Sequence, residues 1–188
     1  ITPYITWQDA RADIPRADGV TDTVRLFEAL GRETVFSMGT RFKAGLAACS
    51  LYSMLRDTPM DLSGARFETL GSYLISNLSD ASRHACHLTD AASTGFAIAA
   101  EGVWNQKVID AVGVSALAFP EIVSETTPLG CYRGTPLFAA IGDHQASVYG
   151  SGDGIEHAVS LTIGTAAILC AVAPGYVRAE MEVRPFFE

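Results

Sequence analysis

Large apolar residues recur at spacings of three and four up to about residue 115, and alternation with polar residues appears only afterwards. That order predicts helices first and strands later. In "TDTVRLFEALGRE", Val24, Phe27 and Leu30 share one helical face, with Thr21 or Asp22 as the cap. "KAGLAACSLYSMLRDTP" predicts a second helix with Leu46, Cys49, Met54 and Leu55 on its apolar face. It ends at Asp57-Thr58-Pro59, because a residue before proline is pushed out of the helical region. "SGARFETLGSYLISNLS" predicts a third, with Phe67, Leu70, Leu74 and Leu78 in register. From Ser79 to Thr94 the pattern lapses into small and polar residues, so a loop bonded to its own backbone is expected there. "EGVWNQKVIDAVGV" reads as a short helix stopped by Gly113, and "FPEIV" as an extended segment. "TPLFAAIG" reads as a buried strand. In "HAVSLTIG", Val159, Leu161 and Ile163 alternate with Ser160 and Thr162, and "AAILCAV" is the expected hairpin partner, both strands buried. Residues 1–20 are rich in Pro, Asp and Arg, which suits a loop or strand edge anchored by Trp7.

Composition narrows the class. The 188 residues are 48% hydrophobic and 18% charged, which suits one domain with a real core, or one and part of a second, and excludes a disordered tail. A net charge of -8, with thirteen scattered Lys and Arg, argues against nucleic acid as a partner. The longest apolar run, "LTIGTAAILCAVAPGYV", is interrupted by Gly164, Thr165 and Pro174, so no membrane span is expected. The four cysteines form no C-x-x-C pair and are expected as buried, reduced thiols of a cytoplasmic protein. The chain opens on Ile1 and closes on "EVRPFFE" and is expected to be a piece of a longer polypeptide, with a boundary in the linker-like "GSGDG" near 150–154.

Three stretches could carry chemistry. In "AAIGDHQAS", a carboxylate stands just beyond a predicted strand, where open α/β sheets bind ligands. Asp143 could equally cap the helix that follows, and the stretch alone leaves capping and catalysis level. A metal site is disfavoured, because Asp143 and His144 point about 100 degrees apart on a helix and no H-x-x-x-H completes them. "LTIGTAAIL" places Gly164 and Thr165 in a tight turn, a nest of backbone N–H groups suited to phosphate or an ordinary hairpin. "ITWQDARAD" gathers Trp7, Gln8, Asp9 and Arg11, either a sugar-facing aromatic or an Asp–Arg pair bracing a loop around a core Trp.

Taken in order, these segments resemble the FGGY family of carbohydrate kinases. Its patterns W-x-D-x-R, T-D-x-x-x-A-S-x-T-G (here three residues shorter), G-D-x-Q-A and a Gly-Thr hairpin stand here as Trp7–Arg11, Thr89–Gly95, Gly142–Ala146 and Ile163–Thr165. Within the family, "GDHQASVYGSG" and "EVRPFF" look most like sedoheptulose kinases, with glycerol and xylulose kinases next.

The resemblance implies an α/β, actin-like, ribonuclease H-type fold in partial form. Residues 1–153 would be the C-terminal part of the N-terminal, sugar-binding domain, and 154–188 would open the C-terminal, nucleotide-binding domain. It implies ATP-dependent phosphorylation of a sugar or polyol hydroxyl, with Mg2+ bridging the ATP phosphates. Asp143 would be the catalytic base. Gln145 and His144 would hold substrate hydroxyls, and Trp7 would line the sugar site. Arg41 stands about where some relatives place a sugar-contacting aromatic. Gly164 and Thr165 would face the phosphates, although Ala166 replaces the second glycine of the glycerol kinase hairpin. The family's Asp-x-Gly-Thr phosphate loop is absent from this chain, so the chain alone is expected to be inactive. A sugar-binding module or pseudokinase is the competing reading, and a homodimer stays open.

Overall fold

The computed structural model describes residues 4–81, 83–152, 159–164, 167–175 and 182–186. Helix α1 (Asp22–Leu30) starts where predicted, the Thr21 hydroxyl accepting the Val24 N–H at 3.2 Å. Its inward side is Asp22, Leu26 and Leu30, a correction to the expected face: Val24 and Phe27 are exposed. A short α2 (Arg32–Ser37) follows. Helix α3 (Ala47–Asp57) ends before Pro59, as predicted, and buries Ala48, Cys49, Ser50 and Ser53. Helix α6 (Gln106–Val112) stops at Gly113, which adopts the left-handed φ of 83° that favours glycine. The helices α1, α3 and α6 pack on one another around Leu26, Leu30, Cys49, Val108 and Val112. An aromatic cluster continues this core. Phe67 stacks on Phe119 with ring centres 4.9 Å apart, and Phe96 and Trp104 approach Phe119 at 5.3 and 5.0 Å.

Within the loop expected at 79–94, residues 85–93 form instead a buried strand and a helix. Strand β1 (Ala85–His87) runs parallel to β4 (Glu121–Val123), with Cys86 opposite Ile122. Parallel strands need a long crossover. Here it holds α5 (Leu88–Ser93), the antiparallel pair β2 (Ala97–Ile98) and β3 (Val103–Trp104), and α6. Ala85, Cys86, Ala91 and Ala92 are all buried, so this region packs by close approach of small residues and shows no stripe of large ones.

Helix α4 (Leu70–Leu78) is shorter than predicted, starting at the capping box of Thr69 and Ser72. Phe67 precedes it, in a segment whose Arg66 bridges Ala118 in parallel. The predicted apolar stripe is corrected too: Leu70, Leu74 and Leu78 are exposed, because α4 turns Ser72 inward and packs on β1 and β5 (Pro128–Tyr132). Strand β6 (Thr135–Phe138) pairs with β5, and its burial is a further correction: three of its four residues are exposed, and of 135–142 only Ala139 is fully buried.

Helix α7 (Asp143–Gly150) follows directly. Strands β7 (Val159–Ile163) and β8 (Ala167–Ala171) form the predicted hairpin, register Val159↔Ala171 to Ile163↔Ala167. They are exposed rather than buried, Leu161 and Leu169 included, because among the described residues no layer covers them. The expected boundary at 153–154 falls outside the described residues. All four cysteines are free: Cys49 and Cys86 are buried, and burial pushes both thiols up to about 12, whereas Cys131 and Cys170 are half-buried, which corrects the uniform expectation.

Candidate functional site

The site grows from the end of β1. His87 caps α5, its Nδ1 accepting the Thr89 N–H at 3.2 Å. The Thr89 hydroxyl lies 2.7 Å from the same nitrogen, and His87 Nε2 lies 3.2 Å from Glu125 Oε2, just beyond β4. Thr89 Oγ1 in turn accepts the N–H of Gly142 at 2.9 Å, across 53 residues of chain. The "TDAASTG" and "GDHQA" stretches therefore meet through a hydrogen bond. His87 and Thr89 are each 2% exposed, so the bonds between them are made away from water, and those to Glu125 and Gly142 are partly buried.

Gly142 is the N-cap of α7, which corrects the capping reading of Asp143: Asp143 is the first helical residue. Its Oδ1 accepts the His144 N–H at 2.7 Å, and its carboxylate is exposed at the positive end of the helix. Gln145, one residue further, is buried, and its amide donates to Pro185 O at 3.1 Å. A side chain at Gly142 would collide with the Gln145 carbonyl, so the glycine lets Gln145 tuck under the start of α7.

Residues 182–186 tie further positions together. Val183 N donates to Gly39 O and Arg41 N to Glu182 Oε1, both at 2.8 Å. Arg41 thus joins the segment that Gln145 grips, through its backbone, while its side chain is exposed. His144 is half-buried beside Asp143.

Trp7 is 73% exposed, so it is not the core anchor expected of residues 1–20. Its backbone carbonyl lies against Gly45, with no room for a side chain there. Arg11 Nε meets Asp9 Oδ2 at 2.7 Å, and the Arg11 N–H donates to Asp9 Oδ1 at 3.0 Å. Burial works against the Asp9 charge, but these Arg11 bonds hold its carboxyl below the usual range. Gly164 closes β7, and Thr165 lies outside the described residues. Among the described residues no hydrogen bond joins Trp7 or Gly164 to Asp143.

His87 and Glu125 are the residues that sequence reasoning did not single out. A histidine two positions before a Thr-Asp pair, in an otherwise small-residue stretch, was the available signal. Among the described residues no three His, Cys, Asp or Glu side chains converge to hold a metal ion, so Asp143 and His144 find no further ligand there. No helix among them is long and apolar enough to cross a membrane.

The class of protein follows from the fold: the chain has part of the actin-like α/β fold of carbohydrate kinases. The solved glycerol kinase of Plasmodium falciparum with ADP superposes over 87% of this chain with a TM-score of 0.68 and 22% identity, and 34% of that protein is covered. The ligand-bound xylulose kinase of Lactobacillus acidophilus gives 0.67 over 86% of the chain at 18% identity, with 34% of that protein covered. In sequence, the chain is 27% identical over 180 residues to the glycerol kinase of Solidesulfovibrio magneticus, a match covering 88% of the chain and 34% of that kinase. No family model matches. In sequence the chain is similar to glycerol kinases and in fold to glycerol and xylulose kinases, and it spans about a third of the length of the curated relatives it matches.

Proposed function

We propose that this chain is the middle portion of an ATP-dependent carbohydrate kinase, with Asp143 as the general base. One observation supports this most. The two motif stretches around Thr89 and Asp143 meet through the bond from Gly142 N–H to Thr89 Oγ1, and the Asp143 carboxylate is left exposed beside that junction. A base for hydroxyl phosphorylation needs to be fixed by its backbone and open to substrate. Asp143 would accept the proton of the acceptor hydroxyl from its place at the start of α7. Gln145 and His144 would hold substrate hydroxyls and Trp7 would line the sugar. The Gln145 NH2 group already donates to Pro185 O, which ties this residue to the segment that Arg41 also joins. Arg41 would stand at the sugar side through the segment it shares with Gln145.

The Gly164 end of the exposed β7–β8 hairpin suits backbone donation to phosphate, so Gly164 and Thr165 would face ATP. ATP supplies the transferred phosphoryl group, and Mg2+ would accompany it and neutralise charge on its phosphates. The acceptor proposed from the "GDHQASVYGSG" resemblance is sedoheptulose or a related ketose. The curated relatives are glycerol kinases, so glycerol is the competitor. By the same reading the isolated chain is inert, since one phosphate-binding hairpin is only half of such a clamp.

In the full-length protein, ADP release across ketoses, pentuloses, glycerol and gluconate tests the acceptor. Asp143→Asn should lower turnover by about 10²–10⁴-fold with the melting temperature retained. Turnover equal to the wild type would overturn the assignment of the base.

A further inference from the structure

We infer that Thr89, oriented by His87 and Glu125, is a positioning residue that sets the backbone from which Asp143 projects. The inference rests on the reading of Asp143 as the base, and it concerns residues that reading does not use. The hydrogen bonds fix their own direction. His87 Nδ1 accepts the Thr89 N–H, so that nitrogen is unprotonated and also accepts the Thr89 hydroxyl proton at 2.7 Å. The ring proton is then on Nε2, aimed at Glu125 Oε2 at 3.2 Å. With its proton committed to His87, Thr89 Oγ1 presents its lone pairs to the Gly142 N–H at 2.9 Å.

Thr89 thus links His87 to Gly142 through one side chain. Gly142 is where such an anchor has most effect. It is the N-cap of α7, it has no side chain to hold itself, and Asp143 is the next residue. A displacement at Gly142 passes directly to the carboxylate. A hydroxyl on α5 and a histidine closing β1 therefore determine where a carboxylate on α7 stands.

Thr89→Val keeps the shape of the side chain but can neither accept from Gly142 nor donate to His87, whereas Thr89→Ser keeps both bonds. In the full-length protein, Thr89→Val should lower kcat by about 10²-fold and leave the KM for ATP near the wild-type value. Thr89→Ser should restore kcat. Hydrogen exchange at the Gly142 amide should quicken in Thr89→Val and not in Thr89→Ser. Two results would overturn the inference: wild-type kcat in Thr89→Val, or an equal loss in both variants, which would trace to packing. Asp143→Asn, assayed in parallel, separates the two readings. If that variant is inactive while Thr89→Val is fully active, the base stands and the positioning role falls. If Asp143→Asn is fully active, the base falls and the positioning role falls with it.

Discussion

The end of the molecule formed by α1, α3 and α6 and the end formed by β1, α5 and β4 are both buried, but with different material. The helical end is filled by Leu26, Leu30, Phe67, Phe96 and Val108. The strand end is filled by Cys86, Ala91 and Ala97, with His87 and Thr89 buried beside them and hydrogen-bonded. Large apolar side chains stabilise by area removed from water and tolerate imprecision in direction. Small residues allow elements to approach closely, and buried hydrogen bonds hold only in one geometry. Stability and positioning are therefore assigned to different ends.

The strongest test of that division is to damage each end in its own way. Phe96→Ala, which empties the centre of the aromatic cluster, should cost about 3–5 kcal/mol in urea unfolding of this chain. Ala91→Leu at the strand end removes nothing and instead forces volume into a packed site, so about 1–3 kcal/mol is expected. A larger loss in Ala91→Leu than in Phe96→Ala would reverse the division, making the strand end the main source of stability.

The two ends also treat a carboxylate in opposite ways, which pH exposes. Burial disfavours the Asp22 charge, but hydrogen bonds from Arg16 and Ser53 and the charge of Arg56 outweigh it, and its carboxyl is held below the usual range. Its contribution to stability is complete above the ordinary carboxylate pKa and is lost as pH falls through the depressed value. Asp90 is the reverse. Burial raises its pKa, and the hydrogen bond from the Thr69 hydroxyl only partly offsets this. Stability is then highest below the ordinary pKa of about 4 and declines as pH rises toward the raised value. Asp22→Asn should lower the melting temperature at pH 7, with the difference shrinking in acid. Asp90→Asn keeps an oxygen for Thr69 and should raise the melting temperature at pH 7 while matching the wild type at pH 3. Parallel pH profiles for the two variants would show that both ends handle charge alike.

The same contrast decides what could be read from sequence. Around Leu26, Leu30 and the α3 stop at Pro59, helices show as spacing and punctuation, because large side chains must recur to face a core. Even there the inward face was missed by a residue, since Asp22 is buried only by virtue of Arg16 and Arg56, which lie elsewhere in the chain. At the strand end, Ala85–Ser93 carries no such rhythm and reads as a loop, yet it is buried throughout β1. Asp143 was legible as a residue next to a glycine after an apolar run. Its anchor was not, because Thr89 and Glu125 reach it only through the parallel pairing of β1 and β4. The exposed stripes of α4 and the β7–β8 hairpin show the opposite limit: periodicity identifies an apolar face without saying what covers it.

The smallest expected effects come from adding one methyl group at a glycine of the helical end and at one of α4, the helix that packs on β1 of the strand end. Gly113 closes α6 at a φ of 83° with open space around it, so Gly113→Ala meets only backbone strain, about 1–2 kcal/mol. Gly71 lies inside α4, and a methyl there would stand 2.5 Å from the Ala140 Cβ. Two terms then oppose each other. Alanine favours a helix over glycine by about 1 kcal/mol, and overpacking costs about 1–3 kcal/mol. A net loss of about 0–2 kcal/mol follows, smaller than most core changes but diagnostic in its dependence on Ala140. Ala140→Gly placed on Gly71→Ala should recover the loss and leave the helix gain, so that the double variant unfolds at higher urea than Gly71→Ala alone. If Gly71→Ala is itself stabilising, α4 does not press on the segment that leads into Asp143, and close approach is then not what holds this end together.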